Sequence, residues 1–394
     1  MKAPSRILPV IVFAQFSCTS LWFAGNAVMP ELISAFNLSS NALSLLTSAV
    51  QFGFILGTLL FAFLKISDRY SPTQVFFLCA ILGSIFNVST VLEQHSLSSL
   101  ILIRFLVGFS LAGIYPVGMK IASDHFEKGL GRSLGYLVGA LVLGTAFPHL
   151  LKATSQIVHF DWNVVMISTS ALALLGGLLL KILVPDGPFR KAQQSTDAGN
   201  FLSLFQNINF RNAAIGYFGH MWELYAFWAF VPLLLNIYNQ IHPGSIANIP
   251  LYSFIIIGCG ALACAISGIL SEKFGVARVA RTALILSGIC CLLSPLLLIF
   301  ASEAVFMIFL MFWGVMVIAD SPLFSTLVAR SAPAEGRGTA LTLVNSMGYA
   351  ITILSIQMVS ISQQLLSQQY IFLVLAAGPL LGVLFFSNFR NTGR

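Results

Sequence analysis

The sequence predicts an all-α membrane protein: twelve transmembrane helices in two pseudo-symmetric six-helix bundles. Three observations carry this prediction. The composition is too apolar for a water-facing surface, twelve apolar runs have membrane-crossing length, and landmarks in the two halves recur about 205 positions apart.

Composition comes first. Of 394 residues, 57% are hydrophobic and only 8% charged, and the mean hydropathy is +0.90. A soluble domain carries about 25% charged residues, so most of this surface must meet lipid. The net charge of +7 does not indicate nucleic-acid binding, because the basic residues are scattered through short loops instead of forming one stripe. Cys18, Cys79, Cys259, Cys264, Cys290 and Cys291 lie inside apolar runs without metal-ligand spacing and read as small buried hydrophobes. No metal and no cofactor are expected. The chain lacks a Gly-Lys-Ser/Thr phosphate loop, a His-Glu-x-x-His pair and a Gly-x-Ser-x-Gly elbow, which argues against an ATP-driven pump and against an enzyme. The first apolar run follows Met1–Arg6 and exceeds a signal h-region, so it is expected to be a retained span.

The apolar runs justify the helix count. A bilayer core of about 30 Å needs about 20 helical residues, and in lipid the backbone must satisfy its own hydrogen bonds. Qualifying runs lie near 7–30, 42–64, 74–92, 98–121, 133–152, 162–184, 212–237, 250–270, 281–301, 304–328, 338–361 and 369–387. With the N-terminus cytoplasmic, eighteen of the twenty Lys and Arg fall inside, Lys152 alone falls outside, and Arg104 lies within a span. So lopsided a division sets the orientation and places both termini in the cytoplasm. The longest polar interval predicts three parts: an N-terminal bundle at 1–184, a cytoplasmic linker at 185–211 and a C-terminal bundle at 212–394. The semi-apolar end of the linker, 201–210, reads as a surface segment or a plain tether.

The internal repeat supports the bundles. Asp68–Arg69 follows the second span and Glu272–Lys273 the eighth, 204 positions on. Arg132 and Arg337 open the fifth and eleventh spans, 205 apart. Gly108 and Pro116 in the fourth span have counterparts at Gly314 and Pro322 in the tenth, 206 on. Parallel halves of this kind characterise one class of secondary transporter.

These landmarks resemble the major facilitator superfamily over essentially the whole chain. Gly268-Ile-Leu-Ser-Glu272-Lys273-Phe-Gly275-Val-Ala-Arg278 matches the family's loop motif, and Asp68–Arg69 is its first-half copy, with Leu64 in place of the glycine. Arg104-Phe-Leu-Val-Gly108 is similar to the fourth-span Arg-x-x-x-Gly element, and Ala334–Ala340 to the loop before the eleventh span. The resemblance implies that Asp68, Arg69, Glu272, Lys273 and Arg337 form a conformational latch at the cytoplasmic ends, and that Arg104 handles protons. It also implies that the first and seventh spans line the substrate cavity, which makes Gln15, Trp22, Asn26, Trp222, Tyr225 and Trp228 candidate substrate contacts. The Gly-Pro signature of drug antiporters and the sugar and nitrate glycine signatures are missing, and no Arg stands in the second or eighth span to clamp an anion.

Two acids stand out on physical grounds alone. Glu223 lies mid-span, where a charge costs about 2.5–3.5 kcal/mol or more. His220 is three residues earlier on nearly the same face. Burial favours the neutral form of each group, so the two are expected to form a proton-carrying pair, with a structural hydrogen-bonded pair as the competing reading. Asp320 precedes Ser321 and Pro322 and reads either as an ion site at a helix break or as a capping acid. Glu223, Asp320, His220 and Arg104 are the proton-coupling candidates. The expected function is secondary active transport of a small organic solute by alternating access, coupled to protons, in a monomer of the inner (cytoplasmic) membrane. An uncoupled facilitator and a non-transporting sensor are the alternatives.

Overall fold

The computed structural model describes residues 6–39, 41–126, 130–190, 201–333 and 337–386. The expectations placed on Glu335, on Lys2, Lys128, Lys191, Arg390 and Arg394, and on the middle of the linker lie outside these residues. Among the described residues the secondary structure is helical, without strands.

Among the described residues eleven helices are long and apolar enough to cross a bilayer. The second to sixth spans are Ala42–Phe63, Pro72–Ser89, Leu97–His125, Ser133–Val158 and Asn163–Leu183. The seventh to twelfth are Ile208–Ile241, Ile249–Phe274, Val276–Phe300, Glu303–Ser331, Arg337–Leu365 and Gln368–Phe386. The first span differs from its expected form. Its opening helix, Ile7–Thr19, has 13 residues, and the chain resumes as two short helices, Ala24–Ala27 and Met29–Phe36. The break between Thr19 and Ala24 leaves carbonyls that an intact helix would use internally, and a side chain from the fourth span takes them up, as described below.

The seventh span also departs from expectation, in the other direction. It runs from Ile208 to Ile241, 34 residues, beginning before the anticipated 212. Asn207 explains the early start: its side-chain oxygen accepts from the N–H groups of Asn209 and Phe210, which caps the helix. The fourth and tenth spans are each interrupted at equivalent points. Leu97–Ala112 gives way to Tyr115–His125, and Glu303–Ala319 to Ser321–Ser331. Each resumed half carries a proline, Pro116 or Pro322, in its first turn, where its missing N–H costs nothing.

The chain folds into two compact units: Met1–Ala192 with Pro250–Ala261, and Gln193–Ile249 with Leu262–Arg394. Within the first, the first span packs on the fifth and sixth, the second on the fourth, and the third on the fourth and sixth. Within the second, the seventh packs on the tenth, eleventh and twelfth, and the ninth on the tenth and twelfth. The neighbours of the first and third spans therefore recur at the seventh and ninth, whereas the close pairing of the second and fourth has no equal at the eighth and tenth. In the first unit the second and fourth spans approach closely: a Cβ on Gly108 would stand 2.0 Å from the Val50 carbonyl oxygen, and one on Gly53 2.0 Å from that of Phe105. Small residues permit such contact, and in lipid packing of this kind replaces the hydrophobic drive.

The expected linker begins as a docked turn. Ser71 Oγ donates to Asp186 Oδ1 at 2.6 Å, and Phe189 N–H donates to the Asp124 carbonyl at 3.0 Å. Arg190 Nη2 donates to the carbonyls of Asp68 and Tyr70 at 2.9 and 2.8 Å. Further along, Phe201–Leu204 forms a single short helix.

Candidate functional site

The second unit holds a fully buried acid. Glu223 projects from the seventh span into a cage of three neutral donors. Trp313 Nε1 of the tenth span donates to Oε1 at 2.6 Å. Ser287 Oγ of the ninth donates to Oε2 at 2.8 Å, and Cys291 Sγ, one turn on, donates to Oε1 at 3.3 Å. Phe227 lies over the Trp313 ring, with centroids 4.6 Å apart, and holds the indole in place. Among the described residues no cation pairs with Glu223. A buried carboxylate without a counter-ion depends wholly on its hydrogen bonds.

The expected pairing of His220 with Glu223 is corrected by the structure. His220 turns instead to Asp320, with Nδ1 2.7 Å from Oδ1 and both side chains buried. The tenth span supplies both partners: Trp313 meets Glu223, and Asp320, two turns later, meets His220. Asp320 has a second role at the break, where its carbonyl accepts from Leu323 and Phe324 and starts the resumed helix. The Asp320 side chain makes no capping hydrogen bond, so only its backbone serves the break while its carboxyl faces His220.

The seventh-span aromatics separate into two groups. Tyr225 and Tyr349 of the eleventh span share a hydrogen bond of 2.9 Å between their hydroxyls, and Trp228 stands edge-on to Tyr225 at 5.3 Å. Trp222 points elsewhere: its Nε1 donates to the Val374 carbonyl of the twelfth span at 3.0 Å, which commits this ring to packing.

In the first unit, Arg104 does not reach the surface. It is buried, and its Nη atoms donate to the carbonyls of Leu21 and Trp22 at the break in the first span and to Asn87 Oδ1 of the third. Asn87 Nδ2 in turn donates to Thr169 and Ser170 of the sixth span at 3.1 and 3.0 Å. One guanidinium thus ties four spans together. Its charge sits at the C-terminal end of the opening helix, where the macrodipole is negative. Asn26 donates to Thr47 Oγ1 at 2.8 Å, and the Trp22 ring lies 4.8 Å from that of Phe54. Gln15 is fully buried and neither of its amide atoms has a hydrogen-bond partner.

The latch candidates fare differently. Asp68 pairs with Lys120 at 3.0 Å, and Lys120 also reaches Asp124 at 3.9 Å. Arg69, Glu272, Lys273 and Arg337 are exposed, and Lys273 Nζ stands 5.3 Å from the centre of the Phe274 ring. The structure brings Asp68 into a charged cluster but gives the other four no ion pair among the described residues.

Trp313, Ser287, Cys291 and Asn87 were not singled out from the sequence. Ser287 and Cys291 are four apart on one helical face, and Trp313 and Asp320 seven apart on another. Polar side chains at those spacings within apolar spans were the available signal.

Comparison with known proteins agrees with this architecture. The model of the Major Facilitator Superfamily matches residues 11–356. The chain is 25% identical over 195 residues to the inner membrane transport protein YnfM of Escherichia coli (strain K12), covering 46% of this chain and 43% of the relative. It is 19% identical over 173 residues to the uncharacterized MFS-type transporter YybF of Bacillus subtilis (strain 168), covering 44% and 42%. The chain thus spans about two-fifths of the length of these curated relatives. A solved structure of the proton:xylose symporter XylE bound to 6-bromo-6-deoxy-D-glucose superposes with a TM-score of 0.74 at 13% identity, over 97% of this chain and 95% of that one. At that identity the likeness speaks for the fold alone.

Proposed function

We propose that this chain, which belongs to the Major Facilitator Superfamily, is a proton-coupled secondary transporter that moves a small organic solute by alternating access. One observation carries the reading: Glu223 is a buried carboxylate held only by neutral donors. Ionised, it must be sustained by those three bonds. Protonated, it carries no charge to desolvate. The difference between the two forms therefore depends on whether the site is open to water, which is what coupling requires. His220 and Asp320 form a titratable pair in the same unit. Arg104 is assigned to organising the first span, beside the role in proton handling that the family resemblance implies.

Gln15, Trp22, Asn26, Tyr225 and Trp228 are the proposed substrate contacts, and Trp222 now ranks below them because its indole is bound to the twelfth span. Asp68, Arg69, Glu272, Lys273 and Arg337 are the proposed latch. The division at 1–184, 185–211 and 212–394 belongs to the same reading, as do a monomeric state, placement in the inner membrane and cytoplasmic termini. The inner-membrane name of the Escherichia coli relative supports the location.

The test is reconstitution in proteoliposomes with a substrate identified by a thermal-shift screen. An imposed proton gradient should drive accumulation by the wild type, and Glu223→Gln should abolish it. Flux indifferent to the gradient would establish an uncoupled facilitator, and binding without flux a sensor.

A further inference from the structure

The Glu223 cage contains a hydroxyl with more acceptors than hydrogens. Ser287 Oγ lies 2.8 Å from Glu223 Oε2 and 3.1 Å from the carbonyl oxygen of Leu284. A serine has one hydrogen and can both donate and accept. The other two partners cannot exchange roles so readily: the Trp313 indole is donor-only, and the Cys291 thiol is a weak acceptor. Both also address Oε1, not Oε2.

From this geometry we infer that Ser287 is the positioning residue that lets Glu223 hold a proton without leaving a buried group unpaired, by reversing its hydrogen bond. The inference rests on the proton-coupled reading above. With Glu223 ionised, the Ser287 hydroxyl donates to Oε2. When Oε2 gains a proton from the aqueous phase, the new O–H donates to Ser287 Oγ, and the serine hydrogen turns to the Leu284 carbonyl. Ser287 neither gains nor loses a hydrogen. Trp313 and Cys291 keep donating to Oε1, which is the carbonyl oxygen of the neutral acid. Every polar atom is satisfied in both forms and no heavy atom needs to move. An orphaned buried hydrogen-bonding group costs about 1–3 kcal/mol, so a cage without this reversal would penalise one form.

The same donors disfavour a metal cation as the coupling ion. Hard cations demand several oxygen ligands, and here an N–H and an S–H are aimed at the carboxylate. Among the described residues no group of three His, Cys, Asp or Glu side chains is gathered as for a metal ion. The other charged or titratable side chains on the packed elements are Arg211, Tyr217, His220, Tyr225 and Tyr238 on the same span, Arg278, Arg281, Cys290 and Cys291 on the ninth, Glu303, Asp320 and Arg330 on the tenth, and Arg337 and Tyr349 on the eleventh. Tyr370 is the titratable residue of the described twelfth span. The hydrogen bond to Oε2 comes from Ser287, and Cys291 addresses Oε1.

Infrared difference spectroscopy of the purified protein across neutral pH tests this without a substrate. The wild type should show a neutral-carboxyl C=O band at the frequency of a hydrogen-bonded acid, and Glu223→Gln should remove it. Ser287→Ala should shift that band to higher frequency and displace its titration midpoint by about one pH unit, the tenfold change expected from one lost hydrogen bond to a charged group. Ser287→Thr should restore both. An unchanged band and midpoint in Ser287→Ala would overturn the role of Ser287 while leaving Glu223 as proton carrier. If no pH-dependent band disappears in Glu223→Gln, the proton reading itself fails. Should Ser287→Ala not fold, the wild-type band decides, because a free-acid frequency contradicts the reversal. Replacing sodium with choline should leave the spectra unchanged, and a sodium-dependent carboxylate shift would overturn the proposal.

Discussion

Glu223 accepts from an indole, a hydroxyl and a thiol, and the indole bond at 2.6 Å is the shortest of the three. A hydrogen bond to a charged group contributes about 1.5–3 kcal/mol, so Trp313→Phe should lower stability by roughly that much when Glu223 is ionised. The loss should shrink in acid, because the neutral carboxyl needs the donor less. Thermal unfolding in detergent across pH measures this, and a pH-independent loss would contradict the assignment. At this scale the sequence revealed that Glu223, His220, Asp320 and Arg104 are costly in a membrane, since that follows from hydropathy alone. It did not reveal their partners. His220 meets Asp320, 100 positions away, and Glu223 meets Trp313, 90 away. Such pairings depend on how helices rotate against one another, and one span's sequence does not encode its neighbour's rotation.

Two helical features lead to element-scale predictions. The first concerns the interrupted first span, whose Leu21 and Trp22 carbonyls accept from Arg104. Arg104→Met should cost about 1–3 kcal/mol for each carbonyl left unpaired. Arg104→Lys should recover only part of this, because an ammonium lacks the planar fork that spans two carbonyls. Equal stability of the methionine variant and the wild type would refute the pinning role. The second concerns glycine. At Gly108 an added Cβ would meet the Val50 carbonyl oxygen at 2.0 Å, whereas at Gly135 nothing lies within 4 Å. Gly108→Ala should destabilise by about 1–3 kcal/mol through overpacking. Gly135→Ala should be neutral or stabilising by up to about 1 kcal/mol from helix propensity. Differential unfolding of the two variants checks the close approach of the second and fourth spans. Element type and number were readable from apolar run length, and the tenth-span break was signalled by Asp320 and Pro322. The first-span break carried no proline or glycine at Ser20–Phe23 to announce it, because its cause lies on another helix.

At the scale of the molecule, the division of cationic residues predicts an orientation that the helix pattern alone does not give. Single cysteines placed on a cysteine-free background at Tyr70 and Lys273 should resist membrane-impermeant thiol reagents in intact cells, while one at Asp161 should react. Labelling of the first two from outside would reverse the orientation. The repeat at an offset of about 205 appears in the structure as matching neighbours of the first and seventh spans and of the third and ninth, so that part of the architecture was legible early. What the sequence left open is the chemistry within one unit, where a buried acid is surrounded by donors that apolar patterning hides.

The account stands or falls on whether Glu223 exchanges its proton as substrate binds. The direct measurement is the pH change of a weakly buffered solution of purified protein when substrate is added, compared between the wild type and Glu223→Gln. The account predicts a stoichiometric proton release or uptake by the wild type and none by the variant at equal substrate occupancy. An identical proton signal from both proteins would contradict it.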